Sequence, residues 1–277
     1  MKVRDKFQIG RAALLRGLDF GRRGSAARPL MAAILFFALG AAAATTNDLS
    51  NAEIQGCQLA QQLLEQRPAE NFTNIGVLKI RDGKGRRTNI SVKCELIITA
   101  TNWVNNYIAY LKYGPNGIWV CTETFTVVHD GSSVNRYLKQ FYCNPDQATG
   151  LFPVEKNMPF VNSDFCAADF GLEFFHWPEQ KVLPNTTSLK RGRAYTLLES
   201  TNPNPSTNGY SRVLSWIDKE TGGILEAEAY DAKGKLLKEF APKSFKKVNG
   251  QWELQEMEIR NVQTGSRTRL EFDFKKE

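Results

Sequence analysis

Two histidines, five cysteines and one pair of glutamates are the residues of this chain whose types invite a chemical reading. His129 and His176 lie far apart in sequence, and neither has the local spacing of a metal site such as H-x-x-x-H. His129-Asp130 falls at a predicted hairpin tip and reads as a solvated pair. His176, beside Trp177-Pro178, reads as a packing or locally hydrogen-bonded ring. Glu226 and Glu228 stand two apart on one strand face, a placement that paired-carboxylate acid–base chemistry could use. That face is the polar one, so solvated charge is the better reading. No G-x-S-x-G elbow and no nucleotide loop occurs, and Asp82-Gly83-Lys84-Gly85 lacks the helix that would make it a phosphate cradle. The residues therefore give no catalytic or cofactor signature.

The cysteines, Cys57, Cys94, Cys121, Cys143 and Cys166, match no C-x-x-C pattern. In an exported chain they imply one or two disulfides with an odd thiol left over, and the sequence leaves the pairing open. Cys94 sits on the apolar parity of its strand, which also fits a buried free thiol.

The net charge of +7 looks like a nucleic-acid signal, but residues 1–44 hold eight of the 36 basic residues and two of the 29 acidic ones. The remainder carries 28 basic and 27 acidic residues, so a polyanion partner is unsupported. The same 44 residues have secretory grammar. A basic segment ends at Arg28, an apolar core runs from Leu30 to Leu39, and Gly40 to Ala44 offers small residues for cleavage near Ala44. The apolar run is shorter than the ~20 residues of a membrane span. An uncleaved anchor is the alternative for this leader. The expected organisation is a signal peptide over 1–44 and one folded domain over 45–277, in the periplasm and monomeric.

What must position the aromatic residues is a series of strands. Ser50 opens a helix that runs to about Gln66. Strands follow at 75–81, 89–98, 103–113, 118–129 and 136–143, separated by Gly-rich turns. Alternation vanishes from Asn144 to Pro159. Ser163 is placed to cap a short helix that turns Phe165 and Phe170 inward. A strand resumes at 193–200, and Tyr210 to Phe274 reads as five strands separated by four turn signals. Trp252 and Leu254 share one parity while Met257 and Ile259 have the other, which predicts a β-bulge near Gln255-Glu256. The fold class is mainly β: a single large antiparallel sheet curled into an unclosed half-barrel, with a helical lid. Aromatic residues on several strands and on the lid could line an apolar site, and Trp103, Tyr107, Phe165, Phe170 and Trp216 are the candidate cavity residues.

Three stretches carry a family resemblance. They are Arg193-Ala194-Tyr195-Thr196-Leu197-Leu198-Glu199-Ser200, Trp216-Ile217-Asp218-Lys219-Glu220-Thr221-Gly222 and Tyr230-Asp231-Ala232-Lys233-Gly234-Lys235. With Ser163-Asp164-Phe165 and Asp169-Phe170, they resemble the outer-membrane lipoprotein-sorting proteins, and an uncharacterised branch rather than the periplasmic carrier itself. The resemblance covers roughly residues 50–274. It implies an open barrel with a lid, an apolar cavity, and periplasmic handling of lipoproteins or other lipids between inner- and outer-membrane partners, as transporter and chaperone. No cavity residue carries over from the carrier, and no cofactor or metal is implied. The competing expectation is a non-catalytic envelope interaction module whose core is filled by its own side chains. An enzyme ranks third.

Overall fold

The computed structural model describes residues 49–273 apart from 114–118, 132, 144–149, 186, 249 and 250. The expected leader at 1–44 and the turns at Gly114-Pro115-Asn116-Gly117 and Asn249-Gly250 lie outside the described residues.

Helix α1 (Asn51–Glu65) starts at a reciprocal cap. The Ser50 N–H donates to the Glu53 carboxylate at 2.7 Å, and the Glu53 N–H donates to the Ser50 hydroxyl at 3.4 Å. It ends before Arg67-Pro68, where proline disfavours helical geometry in the residue before it. Six strands follow: β1 (Phe72–Arg81), β2 (Arg87–Ile98), β3 (Trp103–Tyr113), β4 (Trp119–Asp130), β5 (Ser133–Tyr142) and the short β6 (Phe152–Pro153). A segment with little regular structure, Val154 to Pro178, contains helix α2 (Ala167–Gly171) and a 3-10 turn (Glu173–His176). Seven strands complete the chain: β7 (Glu179–Leu183), β8 (Tyr195–Thr201), β9 (Tyr210–Asp218), β10 (Ile224–Asp231), β11 (Leu236–Val248), β12 (Gln251–Asn261) and β13 (Arg267–Phe272).

All thirteen strands form one antiparallel sheet in the order β6-β5-β4-β3-β2-β1-β13-β12-β11-β10-β9-β8-β7. Every neighbour is a neighbour in sequence except β1 and β13, which join the two meanders. The sheet is open, and its edge strands β6 and β7 are consecutive in the chain. The segment 154–178 therefore straps one edge to the other, and α1 packs on β7. Gly56 makes that approach possible: a Cβ there would lie 2.4 Å from the Lys181 nitrogen.

Aspartates set the hairpins. Asp82 accepts the N–H groups of Lys84 and Arg86, and Asp231 accepts those of Lys233 and Lys235, each at 2.9 Å. In both turns the third residue after the aspartate is a glycine with positive φ, Gly85 at 84° and Gly234 at 74°. Asp218 is buried and accepts from Arg193 Nε and from the Thr221 hydroxyl, each at 2.6 Å, while Gly222 takes φ 70°. The Trp216–Gly222 motif is thus a structural corner.

The bulge occurs where the parity shift predicts it. Ser244 faces Glu256 and Phe245 faces Leu254, so Gln255 has no partner, and Leu254 and Met257 both turn into the core. Cys121 and Cys143 form a disulfide because Thr122 faces Tyr142, which sets the two cysteines side by side on β4 and at the end of β5. Cys57, Cys94 and Cys166 are free. No helix among the described residues is long and apolar enough to cross a membrane.

Candidate functional site

The concave face of the sheet is apolar because alternate residues turn to it: Val92 and Cys94 on β2, Tyr107 and Ala109 on β3, Phe125 and Val127 on β4, Ala227 and Ala229 on β10, Met257 and Ile259 on β12. The strap lays Phe160, Phe165, Phe170 and Phe174 onto this face. Phe170 is the hub of that layer. Its ring stacks on Tyr107 at 4.0 Å and on Phe165 at 5.3 Å, and meets Phe160 edge-on at 5.6 Å.

Between strap and sheet lies an apolar cavity of about 40 Å³, lined by Tyr107, Phe165, Phe170 and Leu172 against Val213, Ile224, Ala227, Ala229, Met257 and Ile259. The two alanines of β10 leave this space where larger side chains would fill it. A water needs roughly 10–15 Å³ in the same measure, so the cavity admits small groups and not an acyl chain while the strap is in place. A wider cleft of about 700 Å³, of mixed polar and apolar lining, runs between β5 and the loop Asn202–Gly209. Tyr210 and Lys238 line both spaces.

Polar bonds hold the strap at both edges. On one side Tyr137 donates to Glu173 at 2.7 Å, Asn135 donates to the Gly171 carbonyl at 2.7 Å, and the Val161 N–H donates to Glu123 at 3.0 Å. Glu173 is buried and also takes the Lys156 ammonium. On the other side the Tyr210 hydroxyl donates to Asp169 Oδ1 at 2.7 Å. Lys238 Nζ donates to the Asp164 carbonyl at 2.6 Å and to Asp169 Oδ2 at 3.3 Å. Thr268 donates to the Asp164 carboxylate at 2.7 Å and accepts the Asp164 N–H at 2.9 Å. Burial acts to lower the Lys238 pKa, but Asp169 with Cys166 and Asp164 outweighs it, and the ammonium is held. Burial, with Asp169 beside it, drives the Tyr210 phenol well above its ordinary value.

Three of the five candidate residues, Tyr107, Phe165 and Phe170, come together around the cavity. Trp103 lies on the same face but at its far end, stacked on His129 at 5.0 Å. Trp216 faces Glu226 across the β9–β10 pair, on the convex side, with the Lys190 ammonium 4.1 Å from its ring centre. Neither tryptophan lines the cavity. His129 is half-buried rather than solvated, because Trp103 covers it and its ring nitrogen lies 3.2 Å from the Asn105 amide. Ser163 does not cap α2. Val161 and Asn162 take positive φ and reverse the chain, Ser163 accepts the Phe165 N–H, and Asp169 reaches back to the Cys166 N–H at 2.8 Å to start the helix. Glu226 pairs with Lys190 at 2.8 Å and Arg191 at 3.3 Å, and Glu228 accepts the Tyr230 hydroxyl at 2.7 Å. Among the described residues no group of three or more His, Cys, Asp or Glu is placed to hold a metal ion.

Sequence reasoning passed over Lys238. Its signal was parity: it stands two residues before Phe240, so a lysine occupies an inward-facing position of β11, opposite Ala229. It also missed β7, whose Gln180 is buried with its amide bonded to the Phe174 and Trp177 carbonyls, both at 2.9 Å.

A family model described only as an uncharacterized protein matches residues 146–275. No curated protein matches the sequence. Among solved structures, a domain from Vibrio parahaemolyticus, provisionally named as an outer membrane lipoprotein-sorting protein, superimposes with a TM-score of 0.61 at 17% identity, over 80% of this chain and 92% of that one. A DUF1329 family protein from Desulfovibrio piger gives 0.61 at 18% identity, over 80% and 91%. A LolA superfamily protein from Nitrosomonas europaea gives 0.52 at 13% identity, over 80% and 92%. The chain has the open antiparallel half-barrel fold of the LolA-like, outer membrane lipoprotein-sorting proteins.

Proposed function

We propose that this chain is a non-catalytic, periplasmic lipid-binding protein that shelters acyl chains, of lipoproteins or of other lipids, against the concave face of its sheet. One observation carries the reading: the strap covers that face with phenylalanines rather than with a continuous hydrogen-bonded element, so what it covers is an apolar surface an acyl chain can replace. Tyr107, Phe165 and Phe170 are the proposed contact residues. Each methylene transferred from water gains ~0.8 kcal/mol, and a long chain can offset both the bonds that release of the strap breaks and the phenylalanine burial it gives up. Residues 1–44 serve in this reading as the export signal, the chain acts as a monomer, and membrane-bound donors and acceptors are its partners.

A second reading has its own support. With the strap seated the cavity is small, as a filled-core interaction module of the envelope would have it. Native mass spectrometry of the chain purified without detergent separates the two. A bound mass that fragments to fatty acids supports the carrier. A bare protein mass that persists after incubation with phospholipid and a triacylated lipopeptide supports the interaction module.

A further inference from the structure

The strap's anchor on β9 and β11 pairs groups that differ in what they belong to. Tyr210 and Lys238 project from the sheet, on its concave face, where Lys238 faces Ala229 on one neighbour and Asn261 on the other. Asp169 belongs to α2 and leaves with the strap. Its carboxylate is held at once by the Tyr210 hydroxyl at 2.7 Å, the Lys238 ammonium at 3.3 Å and the Cys166 N–H at 2.8 Å. The first two stay behind if the strap lifts. They would then stand unpaired at the point where the apolar cavity meets the wider cleft, since both line both spaces. The Lys238 ammonium also lies 5.2 Å from the centre of the Tyr210 ring, so the two groups are positioned against each other independently of the strap.

With the strap lifted, the ammonium and the phenol hydroxyl have no protein acceptor, and an anion that brings its own apolar chain both accepts from them and covers them again. We propose that Lys238 and Tyr210 form a binding site for the anionic head group of an acyl lipid, a carboxylate or phosphate, and that Asp169 occupies this site in the strapped state. This deepens the lipid-binding reading and rests on it. The chain of such a ligand would run from Lys238 toward Ala229, Ala227 and Ile224, in place of Phe165 and Phe170. The head would sit at the inner end of the wider cleft, beside Lys238 and Tyr210. A neutral acyl ester would gain the same apolar burial without the charge-assisted bonds.

Equilibrium dialysis of the full-length chain against three C16 ligands below their aggregation limits tests this: hexadecanoate, monohexadecyl phosphate and methyl hexadecanoate. Both anions should bind roughly tenfold more tightly than the ester, since one charged hydrogen bond is worth at least that factor. Whichever anion binds more tightly identifies the head as carboxylate or phosphate. Lys238→Met should remove the preference, so that anions and ester bind alike in that variant. Asp169→Asn, which takes away the competing charge, should strengthen anion binding several-fold. Tyr210→Phe keeps the packing and should lose part of the preference, so the test stands even if Lys238→Met does not fold. Equal binding of ester and anions, or a preference unchanged in both Lys238→Met and Tyr210→Phe, would overturn the head-group site and leave acyl binding standing. Binding of none of the three would overturn both.

Discussion

The Tyr210 hydroxyl donates a 2.7 Å hydrogen bond to Oδ1 of Asp169 and ties β9 of the sheet to the helix of the strap. Both groups are largely removed from water, and the acceptor is charged, so the bond belongs to the stronger class of about 1.5–3 kcal/mol. Tyr210→Phe should lower global stability by less than that, because Asp169 keeps Lys238 and the Cys166 N–H. Amide hydrogen exchange is the sharper readout. Amides at 164–173 should exchange faster in the variant while those of β2 and β3 stay unchanged. Uniform exchange across the chain would mean the strap does not open as a unit.

Three groups that hold the strap titrate at high pH. Burial pushes the phenols of Tyr137 and Tyr210 well above 10.0, and the Lys238 ammonium lies above 10.5 because its carboxylate partners outweigh its burial. A folded-state pKa raised above its unfolded value contributes stability that is complete below the unfolded pKa and is lost as pH rises. Melting temperatures should therefore be insensitive to these three groups up to about pH 10 and fall above it. Tyr210→Phe should flatten part of that decline. A decline of equal slope in the variant would remove Tyr210 from the alkaline transition.

Gly56 is the point at which α1 touches the backbone of β7. A methyl group there would lie 2.4 Å from the Lys181 nitrogen and 2.6 Å from the Gln180 oxygen, neither of which can move aside as a side chain would. Gly56→Ala should cost about 1–3 kcal/mol through overpacking, despite the helix preference of alanine. Thermal or urea unfolding measures this. A stabilised variant would show that α1 does not rest on β7 in solution.

The sequence made these elements legible to different degrees, for physical reasons. Strands with one wet and one buried face announce themselves by alternation, so β2, β3 and the β9–β13 meander were readable, as was the bulge at Gln255. The Asp-x-x-Gly turns were readable because only a few residues tolerate their geometry. β7 was not, because it is short and its buried position is a glutamine held by side-chain bonds. The disulfide needed the β4–β5 register, which shifts between Val128 and Asp130 and could not be counted from the turn. Of the site, the aromatic layer was visible and its grouping was not. Trp103 and Trp216 are aromatic residues on strands like Tyr107, and only tertiary position separates them. The latch was hidden because Tyr210, Lys238 and Asp169 meet across long stretches of chain.

The cysteines offer an independent check. Cys57 is half-exposed, whereas burial pushes the Cys166 thiol up to about 11 and the Cys94 thiol higher still. Only the thiolate is a good nucleophile. Maleimide labelling near neutral pH should add one mass rapidly, at Cys57, and two more only on unfolding. Early labelling of Cys166 together with Cys57 would place the strap open in the free protein. Replacing Cys121 and Cys143 by serine releases a cross-link spanning 22 residues and should cost about 3 kcal/mol.

Ala227 and Ala229 give the most direct access to the proposed occupation, by acyl chains, of the concave face that the strap covers. Both lie on that face of β10 and line the cavity. Hexadecanoate binding should be titrated against the wild type and the Ala227→Leu/Ala229→Leu variant, each shown by circular dichroism to be folded. The wild type should bind saturably, and the filled variant should lose at least tenfold in affinity. Equal uptake by both proteins would place any lipid elsewhere than on the concave face and contradict acyl binding there.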